Sequence, residues 1–263
     1  MIKISTSFIL GGLLYIFLLS YDDCIRSRHI LKEPGIVLTF DDCSIHEWLS
    51  ILPLLDSFNV DVTFFLTDIA SIGPDELIIL RNIQESGHEI ASHGYAHVDP
   101  IIHIKEKGTL DYINSEILPA KDFLINQGFC QKSFAYVHGI RSKKLDFEMA
   151  SIFQNIRAVS ETQRHKRLKS IQNIEDLYFD RECQRIVHAL CIDEIQNINI
   201  DQINYIFKKI VRENKIIVFY AHTPKIITSN GKWEINVDFL IEIFKIATKM
   251  NIKFLKFKDI NHV

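Results

Sequence analysis

The chain lacks most of the features that would assign it to a class at once. Its five cysteines make no Cys-x-x-Cys pair and no zinc-finger spacing, so neither a thiolate metal cluster nor a disulfide framework is legible. Positive charge is not in excess. Lys and Arg number 30 against 33 Asp and Glu, a formal net charge of -3, whereas a dedicated nucleic-acid binder needs a basic footprint. The one basic run, Arg164 to Lys169, reads as a solvated loop. No apolar run reaches the roughly 18 residues that a membrane-spanning helix requires. There is no internal repeat and no low-complexity tract.

What is present is apolar content enough for one large core: 47% over 263 residues, ordinary for a single α/β domain. Phe8 to Leu19 is a continuous apolar stretch of 12 residues behind Lys3, the pattern of an export-signal core. The expectation is an exported protein, placed in the periplasm, in the cell envelope or on the membrane. Residues 1–20 serve as signal peptide or membrane anchor, 21–34 as linker and 35–263 as the folded domain. Ser20 to Asp23 offer no small-residue cleavage pattern, so a retained anchor and a buried N-terminal helix both stay open.

From Gly35 onward short apolar strands alternate with amphipathic stretches of helical length, which signals repeated βα units and a parallel sheet. Strands are expected at Ile36–Phe40, Val62–Thr67, His88–Ser92, Ser133–Val137, Ile156–Val159, Arg185–Cys191, Ile216–Tyr220 and Lys253–Phe257. That count predicts an α/β fold, a distorted βα barrel of about seven to eight parallel strands.

Four of these strands end in polar residues: Asp41-Asp42, His93 with His97, Tyr136 to Gly139, and His222. In a parallel barrel they converge on one rim, where such folds keep their chemistry. One carboxylate and two histidines suit a divalent metal with open positions for water, and the His-x-x-x-His spacing predicts two imidazoles on one helical turn. Each signal alone has a plainer reading. Two acids can cap a helix, two histidines can line a surface loop, and His222 can be a hydrogen-bonded core histidine. Their joint placement is what points to a site.

These residues also carry a family resemblance. Thr39-Phe40-Asp41-Asp42 resembles the first motif of the polysaccharide deacetylases, the NodB-homology group or carbohydrate esterase family 4, and His93 to His97 resembles the second. Thr63-Phe64-Phe65, Gly87-His88-Glu89-Ile90, Phe134-Ala135-Tyr136 with Gly139, and the strand before His222 extend the likeness over roughly Gly35 to Ile260. The resemblance implies Asp42, His93 and His97 as ligands of a divalent metal, zinc above all. It further implies Asp41 as general base, His222 as general acid, and the backbone N–H near Tyr136 as an oxyanion donor. Four positions depart from the pattern. Cys43 stands where Gly is usual, and Gly94 where a Ser or Thr would brace the histidine loop. Val137-His138 replaces the Pro and aromatic of the third motif, and Ala135 sits where some members place an Arg that pairs with the base, for which Arg141 is a candidate substitute. No fourth motif is legible.

The implied roles answer what amide hydrolysis requires: a nucleophile at neutral pH, charge stabilisation at the carbonyl oxygen and a proton for the departing amine. The expected activity is removal of N-acetyl groups from amino-sugar residues of a polysaccharide or oligosaccharide, with release of acetate. An O-acetyl carbohydrate esterase using the same site and a non-catalytic carbohydrate-binding relative are the alternatives.

Overall fold

The computed structural model describes residues 33–129, 131–160, 174–179, 184–227 and 232–260. The export segment, most of the linker and the basic run therefore lie outside the described residues. β1 (Gly35–Asp42) leads into α1 (Ile45–Ser57), β2 (Thr63–Leu66), α2 (Pro74–Glu85) and β3 (Glu89–Ser92). α3 (Pro100–Lys107) precedes α4 (109–126), which is helical over Thr109–Tyr112 and Leu118–Asn126 with a π-turn at Ile113–Ile117 between. β4 (Ser133–Ala135), α5 (Lys143–Ile152), β5 (Asn155–Val159), β6 (Tyr178–Phe179) and β7 (Ile186–Cys191) follow. The order ends with α6 (Ile200–Glu213), β8 (Ile216–Ala221), β9 (Thr223–Lys225), β10 (Glu234–Asn236), α7 (Val237–Lys249) and β11 (Lys253–Phe254).

The sheet runs β1-β2-β3-β4-β5-β7-β8 with every neighbour parallel, and β8 pairs back onto β1 from Gly35↔Ile216 to Phe40↔Ala221, closing a seven-stranded barrel. The expected eighth strand is only the two-residue β11. It pairs with Gly35 and Ile36, while β2 pairs with Thr39 to Asp42. On the other flank β6 lies antiparallel on Ile216 and Ile217, below the point where β7 reaches β8 at Phe219 and Tyr220. These two short strands fill the splayed N-terminal end and account for the distortion.

Two-residue alternation sorts each strand between two apolar layers. On β1, Ile36, Leu38 and Phe40 pack outward under the helices, whereas Val37 joins Phe65, Ala91, Ala135, Val187, Ala189, Val218 and Tyr220 inside the barrel. Coverage on both faces is why β1 is buried from Gly35 to Asp41 and reads as an unbroken apolar run rather than an alternating one. The barrel floor is sealed by a 3₁₀ turn, Phe257–Asp259. The Phe257 N–H donates to Thr63 Oγ1 (2.8 Å), its carbonyl accepts from Asn155 Nδ2 (3.1 Å), and the Lys258 N–H donates to Glu89 Oε2 (2.9 Å). The opposite, C-terminal rim stays open.

Candidate active site

Strand parity aims Asp41 into the barrel and would aim Asp42 outward. Asp42, however, has φ of +79°, a left-handed conformation that non-glycine residues adopt at a cost of about 1–3 kcal/mol and that clusters at functional sites. The turn brings its carboxylate back onto the rim, where Oδ1 stands 3.2 Å from His97 Nε2 and 3.7 Å from His93 Nε2. Strain therefore falls on Asp42 itself and not on Cys43. Cys43 packs half-buried against the outer apolar cluster, and burial pushes its thiol up to about 11. Nor do the histidines share a helical turn, as the spacing suggested. The 93–97 segment is a loop, and His97 is itself left-handed at φ of +56°.

His93 is buried, and its Nδ1 lies 2.9 Å from the Ala135 carbonyl. An acceptor there fixes the Nδ1–H tautomer and leaves the Nε2 lone pair facing the acids. Burial pushes the His93 imidazole down to about 4 despite the neighbouring Asp41 and Asp42, so the ring is neutral at neutral pH, as a ligand must be. Burial alone would raise the Asp42 carboxyl, but the imidazoles of His97, His93 and His222 outweigh it and hold the group well below the ordinary carboxylate range. The same contact with Asp42 raises His97.

One oxygen and two ring nitrogens thus converge, all within 4.8 Å of one another. Asp42 Oδ1 is buried and has no well-aligned hydrogen-bond donor, although His97 Nε2 stands 3.2 Å away. The donor set and its open side suit a divalent cation of the zinc type.

Asp41 is 3% exposed and Asp42 partly exposed at the surface of the same cleft, a concavity of about 360 Å³ also lined by His93, His97, His138, Gly139, Val159, Tyr220, His222 and Trp233. Oδ2 of Asp41 is gripped by Arg157 Nη2 and stands 4.0 Å from His93 Nε2, while Oδ1 accepts no hydrogen bond. Arg157 comes from the middle of β5 and is 1% exposed, its guanidinium 4.6 Å from the Tyr220 ring centroid and 5.3 Å from that of Phe65. The inward alanines Ala91, Ala135 and Ala189 leave the lumen open for so long a side chain. Arg141 does not compensate for the missing arginine: it pairs with Asp146 on α5.

Across the cleft His222 follows β8. Its Nδ1 is 2.6 Å from Asp193 Oδ2, and its N–H donates to Asp193 Oδ1 at 3.0 Å. Asp193 is fully buried, and Cys191 Sγ also donates to it at 3.3 Å. Burial lowers the His222 imidazole, but Asp193 together with the charges of Asp41 and Asp42 outweighs burial and raises it above the ordinary histidine value.

Tyr136 is the sequence-predicted site residue that does not reach the cleft. Its backbone N–H donates to the Arg157 carbonyl at 3.0 Å, its hydroxyl donates to Asp146 at 3.0 Å, and its ring is buried beside Phe134. The neighbouring His138 and Gly139 line the cleft instead. His138 adopts φ of +54° and meets His97 edge to face at 4.7 Å between ring centroids. Arg157 and Asp193 were missed by sequence reasoning. Arg157 is one charge inside a short apolar strand, and Asp193 follows Cys191-Ile192 at the end of β7, a strand-end acid of the kind Asp41 already exemplified.

A closed parallel barrel gathers these acids and histidines on its C-terminal rim, the edge where parallel barrels carry their chemistry. Residues 29–150 match the family model described as polysaccharide deacetylase, so the resemblance carried by the motifs is borne out. Solved structures of similar fold include the chitin deacetylase of the fungal pathogen Colletotrichum lindemuthianum, at 16% identity and a TM-score of 0.59 over 88% of each chain. A family 4 carbohydrate esterase from Streptomyces lividans aligns at 16% identity and 0.53 over 84% of this chain and 91% of its own. A family 4 pseudoenzyme from Bacillus anthracis aligns at 12% and 0.54 over 87% and 66%. At such identities the likeness is one of fold. No curated protein matches the chain.

Proposed function

We propose that the protein is a divalent-metal-dependent deacetylase that hydrolyses N-acetyl groups on amino-sugar residues of a polysaccharide or oligosaccharide and releases acetate. The observation that carries this reading is the meeting, in one cleft, of Asp42, His93 and His97 with Asp41 on one side and the Asp193–His222 pair on the other. A cation held by Asp42, His93 and His97, zinc by the resemblance, would supply acidified water and a polarised acetyl carbonyl. The chain's own groups move the protons. Asp41, with Oδ2 held by Arg157, offers Oδ1 to take the proton of the attacking water. His222, tied through Nδ1 to Asp193, presents Nε2 to the departing nitrogen. Trp233 stands 5.0 Å from the His222 ring and is half exposed in the cleft, a surface suited to a sugar face.

Acetate release from N-acetylated amino-sugar oligomers, read against acetylated xylan, tests the reading. Acetate and free amine should appear in equal amounts from the first substrate. Release from xylan alone would make the protein an O-acetyl esterase, and release from neither, with zinc, cobalt or nickel supplied, would leave a binding relative. Export rests on Phe8 to Leu19. Among the described residues no helix is long and apolar enough to cross a membrane.

The pH dependence has a definite sign. A proton donor works while protonated, and His222 holds its proton above the ordinary histidine value. Amide turnover should therefore persist through pH 6.5, the unperturbed histidine value, and fall as pH rises through the higher folded-state value. A kcat profile whose alkaline limb lies below 6.5 would contradict the assignment.

A further inference from the structure

The loop bearing His93 and His97 has no regular structure of its own; Gly94 carries no hydroxyl, and the internal hydroxyl brace is a long 3.4 Å bond from the Gly94 N–H to Ser92 Oγ. At Gly94 φ is +89°, where any side chain is strained, and a Cβ there would lie 3.7 Å from Glu116 Oε2 and 3.6 Å from Val137 Cγ2. Glu116 Oε2 therefore lies at contact distance from position 94. It sits in the π-turn of α4, is 6% exposed, and its Oε2 accepts a hydrogen bond from the Ala96 N–H at 2.9 Å. Ala96 immediately precedes His97, so the bond fixes the backbone from which that imidazole projects. Other ties hold the rest of the loop: the Ile69 N–H donates to the Tyr95 carbonyl at 2.9 Å, and His93 Nδ1 meets the Ala135 carbonyl. Among the described residues Glu116 is the side chain that reaches the backbone next to His97.

We propose that Glu116 is a positioning residue for the metal centre, its buried carboxylate bracing the Ala96–His97 backbone in place of the hydroxyl absent at position 94. A π-turn adds one residue to a helical turn and commonly marks function, and here Glu116 projects from that turn to the loop. A buried carboxylate is a costly way to stabilise a fold, which favours a role at the site. Outer-shell partners of this kind set metal affinity by about 10–100-fold when removed.

The inference rests on the metal-centre reading, and one experiment separates their failures. Zinc dissociation constants are measured by competition with a chromophoric chelator for wild type, Glu116→Gln and Glu116→Leu, with thermal unfolding of each metal-free protein beside them. Glu116→Gln keeps an acceptor for the Ala96 N–H and should bind zinc within about threefold of wild type. Glu116→Leu removes the acceptor and should weaken binding by about 10–100-fold, while its metal-free unfolding midpoint stays at or above that of wild type. A wild type that binds no zinc would sink the metal-centre reading. A wild type that binds, with Glu116→Leu binding equally well, would overturn the bracing role alone. Should Glu116→Leu fail to fold, a Gln variant that loses affinity as severely as His97→Ala would overturn it too, because the bond to Ala96 would then not be what matters.

Discussion

Asp41→Asn should cut acetate release by about 10²–10⁴ and loosen the fold in one step. A carboxylate in the proposed role of general base is worth about that factor, and the amide cannot take the proton. The structural cost comes from Arg157. That guanidinium is 1% exposed, its Nε and Nη1 have no hydrogen-bond partner among the described residues, and Asp41 is the carboxylate it grips. Removing one member of a buried ion pair costs about 3–5 kcal/mol, because the other charge is left uncompensated. At roughly 2–4 °C per kcal/mol for a chain of this size, the midpoint should fall by on the order of 10 °C. Calorimetry of the two proteins checks this, and an unchanged midpoint would mean that Arg157 is satisfied elsewhere. Asp41→Asn/Arg157→Met removes both charges and should recover most of the stability with none of the activity.

The second large effect is expected at Asp193. It accepts the His222 N–H, faces His222 Nδ1 at 2.6 Å and receives the Cys191 thiol. Asp193→Asn would remove the charge that raises His222 and leave one acceptor oxygen where the backbone N–H and Nδ1 of His222 now face two. Amide turnover should drop by about 10²–10⁴, the range of a lost acid–base contribution, and the alkaline limb of kcat should move to lower pH. An alkoxide leaves more readily than an amine, so any ester turnover should suffer less. Equal losses on amide and ester would place the role of Asp193 in folding rather than in proton delivery.

The barrel and its rim were legible because their causes are local. A strand covered on both faces reads as an unbroken apolar run, and β1 from Gly35 does so up to the two acids. Parallel order then sends every strand end to one rim, so Asp41, Asp42, His93, His97 and His222 could be gathered from sequence alone. What stayed hidden depends on long-range approach. Arg157 lies on β5, opposite β1, and meets Asp41 only because small residues on three other strands clear its path. Glu116 reaches the His93–His97 loop from a π-turn in α4, which no periodicity in its sequence announces. The left-handed φ values at Asp42, His97 and His138 are uncommon for any non-glycine residue, and no local sequence pattern announces them. Tyr136 shows the converse: the motif pointed to it, yet its N–H is spent on the β5 backbone.

The central claim is that two adjacent carboxylates have divided the work, Asp42 holding the cation and Asp41 handling the proton. Metal content after zinc loading and dialysis, measured for wild type, Asp41→Asn and Asp42→Asn, tests it most directly. Wild type should hold one equivalent, Asp41→Asn near one and Asp42→Asn little or none. Zinc lost from Asp41→Asn and kept by Asp42→Asn would reverse the two roles and contradict it.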